Sequence, residues 1–293
     1  MGELRFTVLE DRGVLAVAGP DRASFLQGLV SNDTLRVGAG CAVYAALLTP
    51  QGKYLHDFIM VEHDAAIWLE GEAARLGDLK RRLSIYRLRS KVTLDELSDL
   101  AVAAIFDAAA LGLPGEPGAA RPLGDGVAFT DPRLAALGAR AILSRATIRQ
   151  TLSAAGATET DFAAYDRLRL GLGVPDGSRD LVLDRSILLE AGFDELHGVE
   201  WQKGCYMGQE LTARTKYRGL VKKRLFPVKI EGPAPDPGTL VTLDGKEAGE
   251  MRSSRDGLGL ALLQLTAASA ARLAAGDAVI TPVIPDWMRL ADG

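Results

Sequence analysis

The octapeptide "KGCYMGQE", Lys203–Glu210, lies within the most distinctive stretch of the chain, "WQKGCYMGQELTARTKYRG", Trp201–Gly219. It contains Cys205, one of two cysteines among 293 residues. The glycines that flank the cysteine permit unusual backbone angles and the close approach of a partner. By residue type, Cys205 is a candidate nucleophile, metal ligand, redox contact or small core residue.

Basic residues dominate the segment that follows Cys205. Residues 211–224 contain six cations and no acid, and Lys203 lies two residues before the cysteine. Because neighbouring cations lower the pKa of a thiol, this setting favours a functional thiolate over an inert core cysteine. If the segment is helical, Glu210 lies one turn before Arg214 and can pair with it.

Composition excludes several classes of protein. The length suits two or three domains, and the net charge of −4 argues against a general nucleic-acid or membrane binder. No apolar run approaches the roughly 20 residues that cross a bilayer, and the first residues resemble neither a signal peptide nor a presequence. We therefore expect a cytoplasmic protein without a membrane partner.

Potential metal ligands are scarce. The chain has two cysteines and three histidines, with no pair at zinc-finger spacing and too few thiols for a four-cysteine cluster. We expect Cys41 and Cys205 to be reduced thiols, and we expect no intrinsic metal or iron-sulfur cluster.

The pattern of apolar residues predicts an α+β fold rather than a regular βαβ series. An opening hairpin, a helix over 21–33 and three antiparallel strands over 41–70 come first. Helices are predicted at 73–83, 146–155 and 160–173. From about Arg224, short β-like pieces predict a small barrel or sandwich, and the Ala-rich stretch at 268–276 predicts a helix within it.

His56 and Asp57 are a candidate acid–base pair in the second of the three strands. Neighbouring residues in a strand point to opposite faces, so we expect one to be buried and the other exposed. The glycine-rich "GLGVPDG", residues 171–177, lacks the spacing of a dinucleotide-binding loop and predicts the end of a helix.

The octapeptide resembles the signature of the YgfZ family of folate-binding proteins, which are relatives of the glycine-cleavage T-protein, an aminomethyltransferase. Supporting segments are "FLQGLVSND" (25–33), "LTPQGKYLHDFIM" (48–60), "YRLRSKV" (86–92) and "RLRLGLGVPDG" (167–177). The continuation "GQELTARTKYRGLVKKRLFPV" resembles the branch that includes the mitochondrial iron-sulfur assembly factors.

This resemblance implies a T-protein-like fold. Residues 1–222 would form two intertwined α+β domains around a central channel, with the second at roughly 50–145, and residues 223–293 would form a C-terminal β-barrel. It also implies that the channel binds tetrahydrofolate or a derivative. The implied role is assembly or repair of iron-sulfur clusters, especially [4Fe-4S], which indirectly supports tRNA-modifying enzymes. The implied partners are iron-sulfur carriers or client apo-proteins.

The resemblance makes Cys205 the functional thiol, with Lys203 and Arg214 in support. The expected folate contacts are Asp57, Tyr206, Gln209 and Glu210.

Two positions depart from the T-protein pattern. His56 replaces the first of two adjacent acids, and Gly171 replaces a folate-contacting glutamate. Because no other local group restores that carboxylate, these changes argue against full aminomethyltransferase activity. Two alternatives stay open: a folate-dependent one-carbon transferase with Asp57 as the acid–base group, and a non-catalytic RNA-docking scaffold that uses the polyanion-binding potential of Arg214–Arg224.

Overall fold

The computed structural model describes residues 4–106 and 109–290. These residues form two compact units. The first takes the chain as far as Leu48, then Leu55–Phe162 and Leu196–Met207. The second takes Thr49–Tyr54, Ala163–Glu195 and the chain from Gly208 onward. The predicted division of residues 1–222 into two interleaved subdomains stays a prediction.

Strands outnumber helices in the described residues. In chain order the strands are β1 (Arg5–Val8), β2 (Arg12–Ala18), β3 (Val43–Leu48), β4 (Tyr54–His63), β5 (Ala66–Glu72), β6 (Thr93–Glu96), β7 (Leu100–Ile105), β8 (Ala120–Leu123), β9 (Gly126–Thr130), β10 (Ala139–Ser144), β11 (Thr158–Glu159), β12 (Lys223–Glu231), β13 (Leu240–Leu243), β14 (Lys246–Arg255), β15 (Leu258–Gln264), β16 (Leu273–Ala275) and β17 (Ala278–Pro282). The α-helices are α1 (Arg22–Gln27), α2 (Leu76–Ile85), α3 (Ile148–Ala154), α4 (Phe162–Leu172) and α5 (Gln209–Tyr217).

A five-stranded sheet in the order β3-β4-β5-β2-β6 forms part of the first unit. Its core includes Leu15, Phe58 and Leu69, and the buried face of α2 adds Leu79 and Leu83. Strands β3 and β4 are buried along most of their length. The polar residues His56 and Asp57 of β4 are buried along with its apolar residues.

A six-stranded sheet in the order β11-β1-β7-β10-β9-β8 is the second sheet of the first unit. The predicted opening hairpin is wrong, because β1 pairs with β7 and β11 whereas β2 pairs with β5 and β6. The predicted turn is present, with the amide of Arg12 donating to the carbonyl of Leu9, but a seven-residue register with β5 places β2 in another sheet. Local turn chemistry does not decide the partner of a strand.

The second unit contains a closed barrel in the order β12-β15-β14-β13-β16-β17. The predicted C-terminal barrel is therefore confirmed. The Ala-rich helix expected inside it is wrong, because Leu273–Ala275 forms strand β16, which bridges β13 and β17. Closing the barrel satisfies backbone groups that an isolated edge would leave unpaired, and this outweighs the helix propensity of alanine.

The remaining predicted helices are confirmed at α2, α3 and α4. Helix α1 is shorter than predicted and ends at Gln27 instead of near residue 33. No helix in the described ranges is long and apolar enough to cross a membrane.

Candidate functional site

Cys205 is exposed and Cys41 is half-buried, and neither forms a disulfide within the described residues. Left-handed backbone angles flank Cys205, with φ of 94° at Gly204 and 81° at Gly208. A Cβ atom on Gly204 would meet no atom within 4 Å, so the backbone angle, and not lack of space, requires glycine there. The two glycines shape a loop that presents the thiol to solvent.

Lys203 fastens this loop to the end of helix α1. Its ammonium group donates to three main-chain carbonyl oxygens, at 2.8 Å (Gln27), 2.5 Å (Val30) and 2.8 Å (Asn32). Burial lowers the pKa of Lys203 to about 8, although the neighbouring Asp33 carboxylate acts in the opposite direction. All three hydrogens of the charged amine are used, so the geometry makes Lys203 a positioning residue.

The carbonyls are available because α1 ends early. Val30 forms an isolated bridge to Leu47 of β3, and the Ser31 amide donates to the carbonyl of Ala46. The chain after Gln27 thus joins the sheet edge instead of continuing the helix. The carbonyl oxygens at the end of a helix lack hydrogen-bond donors within the helix, and a nearby lysine side chain often donates to them instead.

Further hydrogen bonds join the "FLQGLVSND" segment to the chain that precedes Cys205. Ser31 Oγ donates to the carbonyl of Gly198 at 2.6 Å, and Asn32 Nδ2 donates to that of His197 at 2.6 Å. The amide of Met207 donates to the carbonyl of Gly28 at 3.1 Å. One segment, residues 28–32, therefore holds the chain both before and after Cys205, about 170 positions further along the sequence.

Tyr206 lies beneath Lys203. The Lys203 Nζ is 5.1 Å from the centroid of the Tyr206 ring, which is within cation–π range. Tyr206 itself is buried. The structure thus brings these two predicted site residues together beside Cys205.

His56 and Asp57 are both buried, each 4% exposed, so the expectation that one would be exposed is wrong. They do face opposite sides of β4, and each finds its own partner. The His56 Nε2 lies 2.9 Å from Asp78 Oδ2 of α2. Burial and the Arg75 charge lower the pKa of His56 to about 4, so its imidazole is neutral at pH 7. The pair therefore does not form one acid–base dyad.

Asp57 accepts a hydrogen bond from the hydroxyl of Tyr44 in β3 at 2.8 Å. Burial, with the adjacent carboxylate, raises the pKa of Tyr44 well above its ordinary value, so the phenol stays protonated and donates. The guanidinium of Arg133 lies 5.6 Å from the centroid of the Tyr44 ring. Asp57 is thus held at one end of a buried polar cluster.

That cluster joins the two sheets of the first unit. Arg140 of β10 donates to both carboxylate oxygens of Glu70 in β5 at 2.8 Å, and its Nε lies 3.2 Å from Asp131. Arg12 of β2 contacts Glu70 at 2.5 Å, and Arg133 contacts Asp131 at 2.7 Å. Buried charges are stable only when they are paired, and every one of these has an opposite charge beside it.

Gln209, Glu210 and Arg214 lie on α5, in the second unit. Glu210 and Arg214 are one turn apart and exposed, but neither forms an ion pair within the described residues. Within the second unit, Gly52 packs against Gly208, and a Cβ atom at Gly52 would lie 2.6 Å from the carbonyl oxygen of Gly208. Gly171, on α4, is exposed, and a Cβ there would make only an ordinary contact.

Acidic residues neutralise much of the basic run after Cys205. Asp194 lies 2.7 Å from Lys216, and Glu195 lies 2.9 Å from the buried Arg224. Lys223 approaches Glu247 at 3.8 Å. Part of the predicted polyanion-binding surface therefore serves contacts within the protein.

Known proteins resemble this chain at the level of both sequence and fold. Iron-sulfur cluster assembly factor IBA57, mitochondrial, of Mus musculus is 34% identical over 311 residues, covering 95% of this chain and 84% of the relative. The chain belongs to the IBA57 family. The Homo sapiens protein of that name has the same identity and coverage.

Two further similarities describe the architecture of this IBA57-family chain. The profile described as "CAF17, C-terminal beta-barrel domain" matches residues 222–290. The glycine cleavage system aminomethyltransferase T of Bartonella henselae superposes with a TM-score of 0.78 at 18% identity, covering 96% of this chain and 85% of that one. The predicted family resemblance and the T-protein-like α+β fold are confirmed.

Sequence reasoning missed the polar cluster beneath Asp57 in this IBA57-family protein. Tyr44, Glu70, Arg133 and Arg140 carry no motif of their own. A signal was nevertheless present, because Glu70 stands inside the apolar "AIWLEGE" and Arg140 inside "ARAILS". A lone charge in an otherwise apolar strand indicates a buried partner elsewhere in the fold.

Proposed function

We propose that this protein is an accessory factor for assembly or repair of iron-sulfur clusters, especially [4Fe-4S], and that it acts through Cys205. The observation that best supports this proposal is the exposed Cys205 thiol, which lies on a loop that Lys203 attaches to three main-chain carbonyl oxygens at the end of α1. Membership of a family whose members are named iron-sulfur cluster assembly factors supports this role.

In this proposal the cluster is cargo. Thiolates are soft ligands that suit iron, and Cys205 provides one of them. The chain has only two cysteines, so it cannot provide four thiolate ligands by itself. The other ligands therefore come from an iron-sulfur carrier or a client apo-protein, and Cys205 binds iron transiently. The indirect support of tRNA-modifying enzymes would follow from the delivery of clusters to them.

We further propose that the protein binds tetrahydrofolate or a derivative. The N–H donors along one edge of a pterin require carboxylate or carbonyl acceptors, and the buried Asp57 carboxylate has that chemistry. A bound folate would supply or accept a one-carbon unit. Tyr206, Gln209 and Glu210 are the other proposed contacts, and the absence of a carboxylate at Gly171 predicts weak affinity.

Three finer points are part of the proposal. Arg214 supports the thiol electrostatically. The cations of Arg214–Arg224 that face solvent, including Arg218 and Lys222, offer a local contact for a polyanion.

The protein acts in the cytoplasm, whereas the mouse and human relatives are named as mitochondrial. Fractionation of source cells decides between the two compartments.

Complementation tests the role of the thiol. In cells that lack the gene, Cys205→Ala should fail to restore the activity of a [4Fe-4S] enzyme, whereas Cys41→Ala, the matched cysteine control, should restore it. A one-carbon transferase predicts the reverse sensitivity, with loss on Asp57→Asn and little effect of Cys205→Ala. If the protein is an RNA-docking scaffold, Lys222→Glu with Lys223→Glu should lower the activity of the [4Fe-4S] enzyme more than either Cys205→Ala or Asp57→Asn does.

Titration with tetrahydrofolate and 5-formyl-tetrahydrofolate tests the folate proposal. Asp57→Asn should weaken binding, and Gly171→Glu, at an exposed helical position with room for a side chain, should strengthen it. Equal affinities for wild type and both variants would exclude a folate site that uses Asp57.

A further inference from the structure

A second basic segment lies in the first unit, at the end of α2 and in the loop that follows. Residues 79–92, "LKRRLSIYRLRSKV", contain six cations and no acid, in a chain whose net charge is −4. We call Ile85–Lys91 the 85–91 tip. None of its side chains has a role in the site described above.

The tip exposes large apolar side chains. Leu88 is 88% exposed and Ile85 is 61% exposed. Leu88 also has a left-handed backbone with φ of 41°, which is costly for a side chain with a Cβ. A polar residue such as asparagine would suit both the backbone and the solvent better, so folding alone does not explain leucine at this position.

Main-chain contacts attach the base of the tip to the rest of the first unit. The amide of Lys91 donates to Asp21 Oδ2 at 2.7 Å, and the amide of Ser90 donates to the carbonyl of Arg87 at 2.7 Å. A Cβ atom on Gly19 would lie 2.2 Å from the Lys91 carbonyl oxygen, so glycine allows the two chains to pack closely. The tip is held in place before any partner binds, which lowers the entropic cost of binding.

The charges of the tip are available. Arg81 and Arg82 of α2 both pair with Asp78. In contrast, the side chains of Arg87, Arg89 and Lys91 are exposed and form no ion pair within the part of the chain that the structure describes. The tip therefore combines free positive charge with exposed aliphatic surface.

Helix α1 relates the tip to the thiol loop. Asp21, which holds the tip at Lys91, precedes the first residue of α1, and Lys203 binds carbonyls at and beyond its last residue. The helix has six residues and so spans about 9 Å. The attachment points of the tip and of the thiol loop therefore lie about one short helix apart, so one partner protein can contact both.

We propose that the 85–91 tip docks an acidic partner protein that exchanges the iron-sulfur cluster at Cys205. The partner supplies carboxylates to Arg87, Arg89 and Lys91 and an apolar pocket to Leu88. The two most exposed apolar side chains of the tip, Leu88 and Ile85, are aliphatic and suit a protein pocket. Single-stranded nucleic acid is instead bound by stacking on aromatic rings, and the one aromatic residue of the tip, Tyr86, is only 38% exposed. This inference rests on the proposed function, because it assigns the partner of that thiol.

Binding to a purified acidic iron-sulfur carrier protein in its apo form tests the proposal. Leu88→Asn removes the apolar anchor but suits the left-handed backbone, and Arg87→Glu with Arg89→Glu reverses the charge. The matched control is Lys229→Glu with Lys246→Glu, two exposed lysines of the barrel that give the same change in net charge. Each variant is checked for an unchanged melting temperature before its Kd is measured at low and high salt.

We expect each tip variant to raise Kd by about tenfold or more, and the charge control and Cys205→Ala to stay within about threefold. Wild-type affinity of the tip variants would overturn the proposal, as would an equal loss in the charge control. Tip-dependent binding of anionic vesicles or RNA without binding of the carrier would also overturn it.

The same variants separate this inference from the proposed function. If tip variants bind the carrier normally while Cys205→Ala loses cluster-enzyme activity, the docking surface is wrong and the role of the thiol stands. If Cys205→Ala keeps activity while tip variants lose the carrier, the role of the thiol is wrong and the docking surface stands.

Discussion

The turn at Gly52 packs against Gly208, so closely that a Cβ atom at Gly52 would lie 2.6 Å from the Gly208 carbonyl oxygen and 2.6 Å from the Cβ of Leu211. Gly52 also has a left-handed φ of 81°. The "LTPQGKYLHDFIM" segment thereby contacts the start of α5, at the C-terminal end of the octapeptide that contains Cys205. Two segments that first suggested a family are therefore neighbours in space.

Gly52→Ala should destabilise the protein by about 2 kcal/mol or more, because the new methyl group clashes with main chain and the backbone angle disfavours alanine. Urea unfolding measures the change. Gly40→Ala is the control, since a Cβ there meets no atom within 4 Å and the φ is not left-handed. It should change stability by less than about 1 kcal/mol. Equal effects of the two substitutions would contradict this account of Gly52.

Lys203→Met should cost about 1 to 3 kcal/mol, because it removes the donor of three carbonyl oxygens. It should also speed hydrogen exchange of the main-chain amides next to Cys205, since the loop loses its attachment to α1. Lys222→Met, at an exposed lysine without an ion pair among the described residues, should change stability by at most about 0.5 kcal/mol. If the Lys203 variant is as stable as this control, the hydrogen bonds from Lys203 to the three carbonyl oxygens do not hold the loop.

Glu70→Gln should destabilise the protein by about 3 to 5 kcal/mol, since two buried arginines lose the negative charge that compensates them. The matched control is Glu10→Gln. Glu10 also pairs with two arginines, Arg145 and Arg149, but it is 61% exposed, so the loss should stay below about 1 kcal/mol. Chemical denaturation at one pH measures the free energy of unfolding of both variants. Similar losses of stability in the two would show that burial of Glu70 does not strengthen its contribution.

His56 should make stability depend on pH between about 4 and 6.5. Burial lowers its pKa to about 4, whereas an unfolded histidine titrates near 6.5. In this window the unfolded chain binds a proton that the native protein does not, so the free energy of unfolding is highest above the window and falls as pH decreases. The full difference is about 3 kcal/mol.

Urea unfolding across that pH range measures the dependence. His56→Gln should remove most of the slope, whereas His63→Gln, at the more exposed histidine beside Trp68, should retain it. An unchanged slope in the His56 variant would assign the dependence to other groups.

Local pattern predicted several elements correctly and for a physical reason. The spacing of Leu76, Leu79 and Leu83 places them on one face of a helix, and all three are buried in α2. Short strands between turn residues predicted the barrel. The shorter α1 and the strand β16 were not predictable in this way, because Val30 and Leu273 follow sheet partners that lie far along the chain.

The sequence by itself predicted that Cys205 is the functional thiol, and it determined that the chain has too few cysteines to hold a four-thiolate cluster alone and that the family is the one related to the T-protein. These conclusions depend on residue type and on spacing within short segments. Only the tertiary structure decided that Lys203 is a cap for α1, that His56 and Asp57 are buried with separate partners, and that Gly52 contacts Gly208. Such contacts join residues up to 176 positions apart, and they depend on which strands pair and which faces become buried, which no local periodicity encodes.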